Sequence, residues 1–449
     1  MCMHYYPCAG HTNSGDFMND SIWTSDVTMP RFPTLEGDTE TDVLIIGGGM
    51  AGLLCAWKLH QAGVDHLLIE ANRVMHGVSS HTTAKLTSQH GLIYHKLLRR
   101  FGPNMARLYW KANEEALEEY RKLAQTIACD FQDQDNYIYT IDDSGKLKQE
   151  WNALQQLHIP ATQCGNLPLP FPVAGAICFP HQAQFHPMKF ATKIAEGLNI
   201  REHTAAKAFA GNTVITNSGT VKAKKVIVAT HFPINNRHGL YFLKQYQHRS
   251  YVLALKNTKA LDGMYLDEHK NGLSMRSYGD LLLLGGGSHR TGKNGGGWAE
   301  LEKFTGEYFP KAEIICRWAT QDCMTLDDVP YIGQYNQSTP NLYVATGFNK
   351  WGMTGSMVSA NILTDLILGR KNPYTDLFSP TRTMLRPQLL CNAAESAINL
   401  LTPTTPRCPH MGCALKWNKA ERSWDCPCHG SRFAEDGTLL DGPSTGDLK

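Results

Sequence analysis

Two short motifs near the C-terminal end carry the residue types that bind metals. Cys408-Pro409-His410-Met411-Gly412-Cys413 places a thiol and an imidazole close together, and Cys426-Pro427-Cys428-His429-Gly430-Ser431 repeats the arrangement. Fifteen residues separate His410 from Cys426. Two thiolates and two imidazoles suit a [2Fe–2S] cluster with cysteines on one iron and histidines on the other, a group that moves one electron at a time. The same spacing also allows a tetrahedral Cys2His2 zinc site. Two further cysteines, Cys413 and Cys428, argue against zinc, because a closed four-ligand site has no use for them.

A second constellation lies near the N-terminal end. Asp42-Val43-Leu44-Ile45-Ile46 is an apolar, β-rich run that reads as a buried strand. It leads into Gly47-Gly48-Gly49-Met50-Ala51-Gly52, then a helical stretch from about Ala51 to Gln61 and a second strand, His66–Ile69, ending at Glu70. Gly47, Gly49 and Gly52 let the backbone turn tightly and approach a pyrophosphate at a helix N-terminus, with Ala51 in the same turn. The acid of Glu70 takes ribose hydroxyls. The strand, the helix and the acid together make this a dinucleotide site, for either FAD or NAD.

The two C-terminal motifs resemble the cluster-binding loops of Rieske proteins. That resemblance implies Cys408, His410, Cys426 and His429 as ligands of a [2Fe–2S] cluster and a disulfide between Cys413 and Cys428. Ser431 matches a residue that donates a hydrogen bond to a cluster sulfur. Phe433 stands where high-potential members often have a tyrosine, and losing that hydroxyl lowers the potential. Only about residues 407–449 carry the likeness. So short a segment cannot bury a core of its own, so the cluster, the disulfide and packing on the preceding domain must hold it.

The larger part of the chain, about residues 41–380, resembles the D-amino-acid-oxidase-like flavoproteins, which favours FAD over NAD. The segments that carry the likeness are His186-Pro187-Met188-Lys189-Phe190, a β-hairpin from Thr213 leading to Lys225-Val226-Ile227-Val228-Ala229-Thr230, and Thr325 to Gly333. Asn341 to Phe348 and Trp351-Gly352-Met353-Thr354, opening a helix to about Leu368, complete the set. Gly77 to Thr87 is similar to a signature of a bacterial group that fuses this flavoprotein fold to a C-terminal Rieske module. The resemblance implies that Ser79, Ser80, Thr83, Lys85, Ala229, Thr230, Gly347, Trp351, Gly352, Met353 and Thr354 contact the cofactor. Lys85 and His90 are candidates to lie near the flavin ring. In the family an arginine or tyrosine anchors a substrate carboxylate, and the candidates here are Arg276, Tyr278, Arg290 and His289. For Ser79, Ser80, Lys85, His90 and these four, an ordinary loop contact or surface salt bridge is the competing reading. Phe348 and Trp351 are candidates for the pocket wall or for simple core. Gly285-Gly286-Gly287-Ser288 follows a strand but lacks the spacing and the helix of a second nucleotide site.

The expected fold class is therefore α/β (α+β). It comprises a Rossmann-like FAD-binding domain, an antiparallel-sheet substrate domain and a small all-β cluster module. Residues 1–40 read as an N-terminal extension and 41–385 as the oxidoreductase. Within it, FAD binding occupies about 41–90, 180–240 and 323–375, and substrate binding about 91–179 and 241–322. Residues 386–406 read as a linker helix and 407–449 as the Rieske module. Residues 91 to 128 read as two helices, and 245–322 as strands and loops.

Composition agrees with a folded multidomain protein: 449 residues, 42% hydrophobic and 19% charged. A formal net charge of +2 makes no broad basic field, so no nucleic-acid partner is expected. No apolar run reaches membrane-span length, so no integral membrane anchor is expected. Thirteen cysteines in so long a chain do not make a secreted disulfide scaffold. The first forty residues lack the apolar core of a secretory signal, so a cytoplasmic location is expected. Met18-Asn19-Asp20 reads as a more natural start of translation than Met1.

Joined, the two halves imply an FAD-dependent dehydrogenase of an amino acid or related amine, a small-molecule substrate, and a soluble electron-transfer partner served by the cluster. Two rivals stay open. In one, electrons enter through the cluster and the flavin reduces an unsaturated substrate. In the other, the chain is a redox sensor or electron carrier without metabolic turnover.

Overall fold

The computed structural model describes residues 21–142, 145–235, 238–269, 272–404 and 406–448. The expected start at Met18 and the first half of the N-terminal extension lie outside them.

The apolar run after Thr39 becomes the strand Thr39–Ile46, with Leu44, Ile45 and Ile46 buried whichever face they meet. Such a run needs cover on both sides, as a parallel sheet provides. Thr220–Val228 and His66–Ile69 flank it in parallel, and Leu342–Thr346 and Ile200–Arg201 extend the sheet in parallel beyond them. Tyr331–Gln334 closes one edge antiparallel, and the hairpin Ala206–Ala210 with Thr213–Thr216 pairs onto Thr220–Val228. The helices Met50–Gln61 and Gly352–Ile367 pack together against this sheet. A separate apolar layer containing Leu44, Val228, Tyr335 and Val344 covers the other side.

The second sheet has nine strands. Its spatial order is Glu313–Thr325, Gln245–Lys256, Leu281–Arg290, Ser274–Tyr278, Gly263–Asp267, Gln132–Thr140, Gly175–Gln184 and Lys85–Leu86, with Thr162–Cys164 beside Gly175–Gln184. All pairs are antiparallel except Gly263–Asp267 with Gln132–Thr140. Within 245–322 the chain also forms the helix Gly297–Tyr308, which the strand-and-loop reading of that stretch did not include. Its Trp298 and Leu301 seal the outer face of the sheet. The helical region after residue 91 spans Tyr94–Ala124 and breaks at Gly102, where φ is 78°. Glycine accepts that angle without a Cβ clash, and Pro103 then starts the second helix where its missing N–H costs nothing.

The start of the described chain is docked. Trp23 is fully buried, and its Nε1 donates to the Thr82 carbonyl at 2.7 Å. Met29 and Leu35 are also buried.

At the other end, the helix Pro387–Leu401 leads to a four-stranded antiparallel sheet, Lys416–Asn418, Ser423–Asp425, Arg432–Ala434 and Leu439–Asp441. Its own core is small: the four loop cysteines, Leu415 and Phe433. The rest of its stability comes from docking. Arg249 pairs with Glu421, Gln321 Nε2 donates to the Gly430 carbonyl at 2.8 Å, and Lys207 Nζ donates to the Thr445 carbonyl at 2.9 Å. Among the described residues, no helix is long and apolar enough to cross a membrane.

Candidate functional site

The glycine-rich turn follows directly from the first strand. Gly47 has φ 109°, and a Cβ there would lie 2.6 Å from the Ala229 carbonyl oxygen. A Cβ on Gly52 would lie 1.9 Å from the Gly47 carbonyl oxygen. Neither position admits a side chain, so the helix Met50–Gln61 starts hard against the strand end, with its N-terminal amides presented to any phosphate there. Ser79 Oγ accepts from Met50 N at 2.9 Å, which ties the 77–83 loop to the helix start. Glu70 Oε2 accepts from Gly48 N at 2.7 Å, and Oε1 accepts from Asn72 N at 2.9 Å. Burial pushes the Glu70 carboxyl up, opposed by these backbone amides. Each carboxylate oxygen retains a lone pair for a hydroxyl. A cradle that a Cβ would fill and an acid with spare acceptors fit the diphosphate and ribose of FAD.

A cavity opens between this turn and the nine-stranded sheet. Ala51, Ser79, Thr83, Lys85, Ala229, Phe348, Trp351, Gly352 and Met353 line it. The sheet wall facing them is built from Ser250, Val252, Ser274, Gly285, Gly286, Ser288, Thr320 and Asp322. The Gly285–Ser288 segment is thus mid-strand in the cavity wall, and the strand runs on to Arg290 instead of turning into a helix there. Several expected contacts lie outside the lining. Thr354 Oγ1 donates to the Thr87 carbonyl and accepts from Thr87 N, fixing the start of Gly352–Ile367. Ser80 Oγ donates to the Gly77 carbonyl, and Thr230 Oγ1 donates to the Phe232 carbonyl. Gly347 holds φ 74° in a turn where a Cβ would meet Thr325 at 2.3 Å. His90 also stands apart from the lining. Its ring stacks on Trp351 at 4.8 Å, and burial pushes its pKa down to about 3, so it is a neutral spacer between Tyr109 Oη and the Thr87 carbonyl.

Lys85 and Arg276 are the electrostatic feature of this region. Lys85 Nζ donates to Ser274 Oγ at 2.6 Å and to the Tyr265 carbonyl at 3.2 Å. Burial first, and the neighbouring Arg276 second, push the Lys85 ammonium down to about 7. Arg276 is fully buried, and among the described residues none of its three guanidinium nitrogens has a hydrogen-bond partner. Its charge lies over the Trp23 ring at 5.2 Å and the Tyr278 ring at 5.8 Å. Burial pushes its pKa down to about 9. Among the described residues neither Lys85 nor Arg276 has an acid at hydrogen-bond distance.

The other three anchor candidates are occupied elsewhere. Tyr278 Oη donates to Asp130 Oδ2 at 2.7 Å. Arg290 Nε donates to the Pro427 carbonyl at 3.1 Å and its Nη1 to Asn392 Oδ1 at 3.0 Å, so it holds the cluster loop. His289 bonds Tyr251 Oη at 2.9 Å.

The C-terminal loops converge. The His410 and His429 ring centroids are 4.9 Å apart. The Sγ atoms of Cys413, Cys426 and Cys428 lie within 4.8 Å of one another, and the Cys408 thiol contacts both Cys426 and the Ser431 hydroxyl. The His429 ring is buried, and its hydrogen-bonding partner is the Phe242 backbone. Burial pushes His410 down to about 4 and His429 to about 3, so both imidazoles are neutral and ready to ligate. Four gathered thiols and two neutral imidazoles fit a cluster better than a four-ligand zinc site. Cys413 and Cys428 are free thiols, and their Sγ atoms lie within 4.8 Å of each other and of Cys426.

Residues that sequence reasoning missed lie between the cavity and these loops: His231, Phe232, Gln247 and Gln321. None has a distinctive local pattern, because their roles come from segments brought together only by the fold.

Comparisons with known proteins agree with both halves. The FAD dependent oxidoreductase family matches residues 42–366, and the Rieske [2Fe-2S] domain matches residues 399–449. YhfW of Bacillus subtilis (strain 168), named as a Rieske 2Fe-2S iron-sulfur protein, is 34% identical over 96% of this chain and 97% of its own. Among solved structures, glycine oxidase from Geobacillus kaustophilus superposes with a TM-score of 0.65 at 19% identity, covering 77% of this chain and 99% of its own. L-proline dehydrogenase from P. horikoshii gives 0.64 at 17% identity, covering 78% and 98%.

Proposed function

The chain belongs to the FAD dependent oxidoreductase family and carries a Rieske [2Fe-2S] domain at its C-terminal end, and on that premise we propose that it oxidises an amino acid or related amine and passes the electrons, through the cluster, to a soluble acceptor. Its cofactors are FAD and the [2Fe–2S] cluster. The observation that carries the substrate class is the buried Arg276 guanidinium, which has no hydrogen-bond partner among the described residues, beside the buried Lys85 amine. A carboxylate-bearing substrate supplies the missing anion.

Gly47, Gly49, Ala51 and Gly52 would hold the FAD diphosphate and Glu70 its ribose, with Ser79 and Thr83 along the same wall. Cys408, His410, Cys426 and His429 would hold the cluster, and Cys413–Cys428 would tie the loops. When bound, FAD accepts two electrons as a hydride from a C–H next to nitrogen, and the cluster relays them singly.

The remaining work falls to Lys85 on the cavity wall and to the buried Arg276, two residues along the strand from the lining residue Ser274. Arg276 stays cationic at neutral pH and fixes the substrate carboxylate. The small wall at Gly285 and Gly286 leaves room for the substrate against the sheet. Amine oxidation requires the neutral amine, and Lys85 Nζ, titrating near 7, takes the proton from the substrate ammonium. As a free base, Lys85 uses its two N–H donors on Ser274 and Tyr265 and keeps one lone pair for that proton. Orientation over the ring then supplies most of the acceleration.

An anaerobic panel on purified holoprotein tests this reading. Glycine, L-proline, N-methylated amino acids, simple amines without a carboxylate and NAD(P)H are each mixed with the oxidised protein, and flavin bleaching is followed. Bleaching by a carboxylate-bearing amine, and not by its decarboxylated analogue, is the expected result. Bleaching only by NAD(P)H, or by nothing in the panel, rejects it.

A further inference from the structure

The two cluster-loop histidines face different surroundings. His429 is 1% exposed and lies beneath Phe232 and Phe242, whose ring centroids are each 6.1 Å from it. His410 is half-buried, on an outer loop whose next residue, Met411, is 38% exposed. Phe232 also reaches His410, at 6.5 Å, so one phenyl ring touches both imidazoles.

The residue before Phe232 belongs to the other site. His231 lines the cavity. Its φ is 64°, a left-handed conformation uncommon for a residue with a side chain. Two hydrogen bonds hold the turn: Thr346 Oγ1 donates to the His231 carbonyl, and Thr230 Oγ1 donates to the Phe232 carbonyl at 2.8 Å. The turn therefore sets one side chain on the cavity wall and the next on the cluster site. A second link runs alongside. His231 Nε2 is 3.0 Å from Gln247 Oε1, and Gln247 packs so closely on Gly430 that a Cβ there would lie 2.3 Å from Gln247 Cγ. Gly430 directly follows His429 and is also gripped by Gln321.

We propose that the His231–Phe232 dipeptide is the electron bridge between the cavity and the cluster. This rests on the reading that electrons pass from flavin to cluster. One electron moves per passage, taking the cluster from its diferric to its ferric–ferrous form. Two passages drain one two-electron substrate oxidation and reduce two equivalents of a one-electron acceptor, while protons stay on the cavity side. Electronic coupling falls less steeply through bonded and packed atoms than across gaps. Among the described ring contacts, only Phe232 joins a cavity-lining neighbour to both histidines.

Phe242 provides a matched control, because it packs on His429 as Phe232 does but does not adjoin a cavity-lining residue. The test uses full-length holoprotein carrying FAD and the cluster. The flavin is photoreduced anaerobically, and the cluster's EPR signal is followed by freeze-quenching. Iron content and both midpoint potentials are measured for each variant so that rates are compared at matched driving force. Phe232→Leu is expected to slow cluster filling by about tenfold, whereas Phe242→Leu leaves it within about twofold of wild type. If Phe232→Leu fails to load the cluster, His231→Leu, further from the ligands, carries the same expectation of slowed filling. Wild-type filling in the Phe232 variant, or in its His231 stand-in, overturns the bridge, and so does equal slowing by Phe242→Leu. Photoreduction needs no substrate, so a failed amine panel leaves this test standing and distinguishes the two claims.

Discussion

Arg249 of the substrate sheet and Glu421 of the cluster module form a buried two-point ion pair, with Arg249 Nε 3.0 Å from Glu421 Oε1 and Nη2 on Oε2. The side chains are 3% and 9% exposed. Arg432 Nη2 donates to the same carboxylate at 2.8 Å and Tyr251 Oη at 3.1 Å, so donors from both modules satisfy Glu421. A buried charge pair of this kind is weak as a source of net stability but costly to break from one side.

Replacing Arg249 by Leu leaves Glu421 buried without the cation that reaches it from the substrate sheet. The expected loss is about 3–5 kcal/mol of docking, seen as faster proteolysis before residue 407 and loss of iron, with the flavin retained. The pair also has a pH signature. Burial pushes the Glu421 carboxyl up, but Arg249 and Arg432 outweigh it and hold it down to about 2, against an ordinary 4.5. A depressed carboxylate stabilises the fold fully above its ordinary value and loses that contribution as pH falls toward the lower one. Cluster retention should therefore weaken as pH drops through that window, and the window should narrow in Arg249→Leu, where Arg432 alone holds the carboxyl down.

Cys426→Ser and His429→Ala separately remove one proposed ligand from each iron. Both are expected to abolish the Rieske EPR signal while leaving flavin absorbance intact, since neither residue lines the cavity. Iron content and EPR on the purified variants decide this. A persisting signal of unchanged shape would refute the ligand assignment.

Gly52→Ala places a methyl group 1.9 Å from the Gly47 carbonyl oxygen, a backbone atom that cannot yield. Loss of FAD from the purified protein is expected, with the cluster still loaded on its separate module. Cofactor release on denaturation, measured against protein concentration, checks it.

How much of this was legible beforehand follows from where each requirement resides. The turn at Gly47 and Gly52 shows in sequence because the backbone there excludes a Cβ. The ligand loops show because only thiolates and imidazoles do their chemistry. The Arg249–Glu421 pair left no such trace: an arginine and a glutamate far apart in the chain look like any surface charges. Arg290 was read as a substrate anchor on residue type alone, and the fold turns it toward Pro427 instead. The helix Gly297–Tyr308 begins immediately after a glycine run that reads as loop. Trp23 fell in an apparent extension, although its ring is the floor under Arg276.

Lys85→Met removes the proposed proton acceptor without a large change in volume. In the wild type, the rate of flavin reduction by substrate should rise as pH increases through about 7, where Lys85 loses its proton. In the variant this step should disappear, leaving the dependence set by the amine itself. Stopped-flow reduction across pH 6 to 9 compares the two, and an unchanged profile would assign the proton to another group.

In the proposed function, substrate electrons reach the cluster through the flavin within one chain. The measurement is an anaerobic stopped-flow and freeze-quench experiment on the holoprotein with the amine that bleaches the flavin, without added mediator. The account predicts that flavin bleaching comes first and that the cluster's EPR signal then grows as the flavin partly reoxidises. A cluster that stays oxidised beside a fully bleached flavin, or one that fills only from an external reductant before the flavin does, would contradict it.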